Sequence, residues 1–224
     1  MNRKQTLAAA VILVFSAALL SAGEDTRKNA VSLNPLGMLL NMYSGSYERA
    51  LTELVSVKVT AAYSPNFIWI SDIAYTDIQV EGRYYFGWHL RNLAEDLPFG
   101  KEKAARLFAP ALNGFYVGFM AGMVTASIDD WEGTVTEVPV KFDARFFGLG
   151  GGVSLGAKYA LTGKRFTFFA EPWLGLQFYA PVGGANGWTY TDSNTGGDLP
   201  KPDEFEDGFG RSPFTFGINA GLAF

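Results

Sequence analysis

Pro213-Phe214-Thr215-Phe216-Gly217-Ile218-Asn219-Ala220-Gly221-Leu222-Ala223-Phe224 ends the chain on an unbroken alternation. The even positions are all apolar, and most of them are bulky; the odd positions hold Pro, Thr, Gly, Asn, Gly and Ala. A period of two sends these sets to opposite faces of one strand. Large apolar groups on one face and small or polar groups on the other invert the pattern of a water-soluble β-protein. They fit a strand whose outer face meets lipid and whose inner face meets a filled interior.

The same parity recurs upstream. In residues 165–180, Phe166, Phe168, Ala170, Pro172, Leu174, Leu176 and Phe178 share a face, opposite Thr167, Glu171, Gly175 and Gln177. In residues 144–161, Phe147, Leu149, Val153, Leu155 and Tyr159 oppose Gly148, Gly150, Gly152, Ser154, Gly156 and Lys158. Residues 115–127 send Phe115, Val117, Phe119, Ala121 and Met123 outward, with Tyr116, Gly118, Met120 and Gly122 inward. In residues 75–86 the inward set is Asp77, Gln79, Glu81, Arg83 and Tyr85, and in residues 54–63 it is Ser56, Lys58 and Thr60. Two shorter segments open the series, 30–41, kinked by Pro35 and Gly37, and 44–51. The expected fold class is therefore all-β, an eight-stranded antiparallel transmembrane up-and-down β-barrel, eight being the smallest size for a membrane barrel. Glycine-rich inner faces suit a narrow lumen that larger neighbours must share.

An even strand number places both ends of the chain on one side. Outer connections are then expected at 42–45, 64–72, 128–139 and 181–212, and inner ones at 52–53, 87–113 and 162–164. Two inner connections are tight turns, as expected for such barrels. The third is long, and Glu102 and Arg106 at i,i+4 give it helical character, so a short helical periplasmic excursion around 88–110 is expected.

The beginning of the chain reads as an export signal. Arg3 and Lys4 precede an apolar run from Leu7 to Leu20, followed by Ser21-Ala22-Gly23. That run is 14 residues, short of the roughly 17–25 of a spanning helix. Residues 1–22 are expected to be a signal peptide and 23–224 the barrel domain. The chain has 18 basic and 22 acidic residues; without Arg3 and Lys4 the balance is 16 to 22, a net charge of −6. Such a balance argues against a nucleic-acid partner. With no cysteine in the sequence, there is no disulfide framework and stability falls to the strands.

The inward charges form the most informative polar set: Glu48, Lys58, Glu81, Arg83, Lys158 and Glu171, three carboxylates against three cations. Buried charges must pair, because an isolated one costs several kcal/mol. They read as a salt-bridged plug, or alternatively as the lining of a gated path for small solutes. His89 is the single histidine; beside Trp88 it reads as an interfacial residue, with a Ser-His-acid role the alternative. One histidine and no cysteine offer no structural zinc site, and no cofactor is expected. Two surface segments are candidates for ligand or partner binding: the apolar run containing Phe67 and Trp69, and the acidic loop containing Asp203, Glu204, Glu206 and Asp207.

Ser32-Leu33-Asn34-Pro35-Leu36-Gly37, Tyr47-Glu48-Arg49-Ala50-Leu51 and Glu81-Gly82-Arg83-Tyr84-Tyr85-Phe86 resemble the opening strands of small bacterial outer-membrane barrels of OmpX, OmpA and OmpW-like architecture. The terminal Phe224 is similar to the end of the β-signal of such barrels, which the barrel-assembly machinery reads. The resemblance implies export to the outer membrane, outer-membrane lipid as surroundings, and assembly through strand 213–224. It implies a non-enzymatic role in envelope integrity or surface interaction, or alternatively a narrow channel for small or amphipathic solutes. A lipid-modifying activity, as in the lipid A deacylases and palmitoyltransferases among small barrels, is the third reading.

Overall fold

The computed structural model describes residues 28–65, 73–86, 112, 114–135, 138–162, 167–182, 187–192, 195, 197 and 214–224. Nine strands are present among them: β1 (Asn29–Leu33), β2 (Tyr43–Ala50), β3 (Val55–Ser64), β4 (Ile73–Tyr85), β5 (Gly114–Val135), β6 (Val138–Thr162), β7 (Thr167–Pro181), β8 (Gly187–Asp192) and β9 (Phe214–Ala223). One short helix, α1 (Pro35–Leu39), follows β1. Each strand from β1 to β6 pairs antiparallel with the next, β7 pairs with β9, and β9 returns to β1. The result is a closed eight-stranded antiparallel barrel. β8 does not add a stave. It lies on the edge of β6 that β7 also occupies, matching Gly187–Asp192 to Arg145 through Val140, and so prolongs the line of β7.

Alternation decides which groups are enclosed. On β9, Phe214 and Phe216 are 72% and 73% exposed while Asn219 is buried. Phe119, Phe168, Leu174 and Phe178 also point outward. The interior instead holds Glu48, Lys58, Asp77, Glu81, Arg83, Lys158 and Glu171. Closure leaves the staves no free edge where the pairing is complete. At the end carrying Asn29 and Phe224, the inner side chains turn apolar, and Ala30, Leu112, Phe169 and Ala223 pack into a floor. Outside that floor Phe224 covers Val31 beside Tyr47 and Leu222. Phe86, Phe115 and Tyr159 form an aromatic run at the same end, with successive ring centroids 6.4 Å apart. At the opposite end Ile128, Phe142 and Ala144 make a third apolar cluster.

Three expectations need correction. The strand expected over 30–41 stops at Leu33, because Asn34 caps a helix whose first residue is Pro35, and its Oδ1 accepts the Gly37 N–H at 2.8 Å. Proline at N1 lacks only a donor that the helix start leaves unused. The connection expected at 128–139 is mostly sheet: β5 and β6 stay paired through Val135 and Val138, past an irregularity between Ile128 and Trp131. In that ribbon Glu132 meets Lys141 at 3.4 Å. The loop expected at 181–212 contains β8, because Trp188, Thr189, Tyr190 and Thr191 are strong strand formers with an open edge of β6 to join. The expected signal peptide 1–22 and the excursion around 88–110 lie outside the described residues.

Candidate functional site: the charged lumen

Seven strands contribute to one buried cluster. β4 places Glu81, Arg83 and Tyr85 at successive inward positions, since residues two apart share a face. β2 adds Glu48, β3 adds Ser56 and Lys58, and β5 adds Tyr116. β6 adds Ser154 and Lys158, β7 adds Glu171, and β9 adds Asn219. The six ionic residues singled out by parity are thus within one group, each less than a tenth exposed.

Glu171 is the hub. Its Oε1 accepts from Lys58 Nζ at 2.9 Å, Arg83 Nη2 at 3.0 Å, Tyr116 Oη at 3.1 Å and Asn219 Nδ2 at 2.9 Å. Its Oε2 faces Lys158 Nζ at 3.5 Å. Glu48 is a second hub. Its Oε1 accepts from Ser56 Oγ at 2.5 Å and Tyr85 Oη at 2.6 Å, and its Oε2 pairs with Arg83 Nη1 at 3.0 Å and with Lys158 Nζ. Glu81 takes the other side of Arg83 Nη2 at 2.9 Å and accepts from Ser154 Oγ. Aromatic faces complete the surroundings, with the Arg83 guanidinium 4.0 Å from the Tyr116 ring centroid and Lys158 Nζ 4.5 Å from that of Phe169. Cations over rings in a desolvated site gain about 2 kcal/mol.

Two consequences follow from this geometry. The Lys58–Glu171, Arg83–Glu171, Lys158–Glu48 and Ser154–Glu81 contacts cross the lumen and tie β2, β3 and β4 to β6 and β7. The three carboxylates and three cations also compensate one another, which is the condition under which ions tolerate removal from water. Removing one member leaves its partners uncompensated.

Toward the opposite end a smaller polar layer spans β4 and β7. Tyr179 Oη donates to Asp77 Oδ1 at 3.0 Å, and Gln79 Nε2 reaches Tyr179 Oη at 3.1 Å and also Asp77. Gln177 Nε2 meets Met120 Sδ at 2.7 Å. Between the layers is a cavity of about 50 Å³ that touches Lys58, Glu81, Arg83, Ser154, Trp173 and Asn219. A volume of that order accommodates a few waters.

Sequence reasoning focused on charge and missed the neutral members. Tyr85 and Tyr116 are among the most completely enclosed side chains, and Asn219 and Ser56 each donate to a hub. Inward parity next to a charge was the available signal. Phe169, Trp173 and Tyr179 share the parity of Glu171 and belong to the interior face for the same reason. Phe67, Trp69, His89, Asp203, Glu204, Glu206 and Asp207 lie outside the described residues. Among the described residues no group of three or more His, Cys, Asp or Glu is placed to hold a metal ion.

No family model and no curated protein matches the chain. Among solved structures, the N-terminal β-barrel domain of Pseudomonas aeruginosa OprF aligns over 90% of this chain and 100% of its own, at 13% identity and a TM-score of 0.40. Acinetobacter baumannii CarO2 aligns over 88% of this chain and 96% of its own, at 10% identity and a TM-score of 0.32. LpxR from Salmonella typhimurium covers 88% and 99% respectively, at 11% identity and a TM-score of 0.20. At these values the likeness adds nothing to the strand pairing on which the fold rests.

Proposed function

We propose that the chain is an integral outer-membrane β-barrel without catalytic activity, whose lumen is closed by its own salt bridges and whose role lies in envelope integrity or surface interaction. One observation carries this reading: the barrel is inside out. Val59, Val80, Phe119, Leu149, Val153, Leu155, Phe168, Leu174, Phe178, Phe214 and Phe216 are exposed, and the six lumen ions are enclosed and mutually compensated. Monomeric soluble proteins rarely expose a contiguous apolar belt, whereas a barrel in lipid requires one. Residues 1–22 act as the export signal, outer-membrane lipid covers the outer face, and strand 213–224 is the segment offered to the barrel-assembly machinery. Both chain ends then face the periplasm.

The cross-lumen network favours a plug over a channel. A hydrated solute would have to displace bonds among six paired ions, and the remaining cavity is of water size. Refolding into detergent should yield a band whose gel migration changes on heating. Planar bilayers containing that material should show no reproducible openings; steady openings abolished by Glu81→Gln or Arg83→Gln would overturn the plug. Lipid A of identical mass with the native chain and with His89→Ala is expected for a barrel without lipid-modifying activity.

A further inference from the structure

The seam between β1 and β9 is short, and the backbone shows what ends it. In an antiparallel pair, residues that exchange hydrogen bonds alternate with residues that do not. Asn29 and Phe224 exchange theirs, so in the register of Ala30 to Leu33 against Ala223 to Ala220 the odd residues of β1 face the even residues of β9. The other edge of β1 agrees. The Lys28 carbonyl accepts from Ala50, and the Asn34 N–H donates to the Ser44 carbonyl, so even residues face β2. Continued upward, the same register sets position 35 opposite Ile218 and position 37 opposite Phe216.

Neither position supplies a donor to β9. Pro35 has no N–H, and the Gly37 N–H is taken by Asn34 Oδ1 at 2.8 Å. The Gly37 carbonyl is also engaged, accepting from Leu40 at 2.9 Å and from Met42 at 2.8 Å. Glycine suits this buried turn, because a Cβ there would lie 3.0 Å from the Met42 carbonyl oxygen. A helix therefore stands where the stave would have continued. α1 lies against β9 and β2, yet Thr215 to Asn219 pair only with β7 among the described residues. Covering an edge with a helix shields it, but supplies no ladder bonds.

We propose that Asn34, Pro35 and Gly37 act as a built-in stop, which holds the β1–β9 seam to the five residues of β1 and makes it the line along which the folded barrel opens. The neighbouring ladders are longer: β9 meets β7 from Thr167 to Leu176, and β2 meets β3 from Tyr43 to Ala50. β1 itself bonds to β2 from Lys28 to Asn34 and is joined to it through α1, so β1 leaves with β2. β9 leaves with β7. Parting the two breaks only the ladder between Asn29 and Leu33, because Phe216 and Ile218 have no ladder bonds to β1 to lose. The ion pairs that span the lumen oppose this motion from inside.

The test compares the full chain, refolded in dodecylmaltoside micelles, with an Asn34→Ala, Pro35→Val double variant, which restores a donor at position 35 and releases the Gly37 N–H. Nuclear magnetic resonance of the unaltered chain should show helical Cα shifts over Pro35–Leu39 and, in the seam, an Hα–Hα contact between the paired Ser32 and Gly221. The double variant should lose the helical shifts, gain an Hα–Hα contact between Leu36 and Gly217, and unfold in urea about tenfold more slowly. Asn34→Ala alone should leave the seam unchanged, since Pro35 still lacks a donor. Helical shifts kept in a folded double variant, a seam lengthened by Asn34→Ala alone, or a lengthened seam that unfolds no more slowly would each overturn the proposal. Should the double variant fail to fold, Pro35→Val alone decides the question through an amide–amide contact between position 35 and Ile218. Heat-dependent gel migration is measured on every sample. Its loss in the unaltered chain would count against the membrane barrel itself, whereas its retention beside an unaltered seam in the variants would remove only this stop.

Discussion

The β5–β6 wall and the β1–β9 seam are built from the same alternating pattern and differ mainly in how far they are zipped. β5 and β6 pair from Gly114 and Lys158 up to Ile128 and Ala144, and again from Trp131 and Phe142 to Val135 and Val138. The seam pairs only from Asn29, which exchanges backbone bonds with Phe224, to Leu33. In a closed barrel a short seam limits cooperativity, because opening one line of bonds frees both neighbouring staves. The lumen compensates on this side: Lys58 of β3 and Arg83 of β4 reach Glu171 of β7, and Lys158 of β6 reaches Glu48 of β2, so ion pairs link strands on one side of the seam to strands on the other. One region is thus held by its backbone and the other by charges that cross the interior.

The sharpest way to break this contrast is to remove the hub. Glu171→Leu should destabilise the refolded barrel by ~3–5 kcal/mol, since it strands two or more buried cations, and the drop should appear as a lower urea midpoint. A Glu171→Gln, Lys58→Gln pair should lose less than the sum of the two single changes, as expected for partners in one network. An additive result would show that the ions do not act together. Next in size, Phe216→Lys beside the seam should cost ~2–4 kcal/mol in a bilayer if that position is deep in lipid, measured by the same unfolding in vesicles. Gly118→Ala should cost about 1–3 kcal/mol, the range for overpacking a filled interior, because a Cβ there would overlap Glu81 Oε1 and Ser154 Oγ. On the outer face, Gly82→Ala should change stability by less than about 0.5 kcal/mol, as a Cβ there meets nothing within 4 Å. Equal effects at Gly118 and Gly82 would contradict the assignment of inner and outer faces. Amide hydrogen exchange sharpens the comparison without mutation: Val31 and Ser32 should exchange before Val117 and Phe119.

The barrel and its faces were legible in the sequence because one physical variable, parity, controls both. An inward Glu171 and an outward Phe178 are seven residues apart on one strand, and no fold with a water-facing exterior suits both. The contents of the lumen were only half legible. Charges announce a need for partners, whereas Tyr85, Tyr116 and Asn219 become network members only when strands distant in sequence are brought together. The departures from simple alternation were harder still. Asn34-Pro35 carries a helix-start signal, yet within a strand-like run it reads as a kink. Asp129 and Asp130 read as a solvated loop, since composition does not reveal that β5 and β6 continue past an irregularity at that point. The weakness of the seam was not legible at all, because it depends on where β1 stops relative to β9.

The glycine run of β6 has a consequence for how this chain tolerates change. A Cβ on Gly150 or Gly152 would overlap the carbonyl oxygens of Phe178 and Leu176, and one on Gly156 would overlap the Tyr116 ring. Those sites admit essentially one residue. The outward positions between them, Leu149, Val153 and Leu155, need only remain apolar. Substitutions along β6 should therefore be rare at Gly150, Gly152 and Gly156 and frequent at Leu149, Val153 and Leu155, with Gly151 the exception on the outward face because a Cβ there would lie 2.7 Å from the Met120 carbonyl oxygen, and a library of random variants sorted for folded barrels would show that pattern.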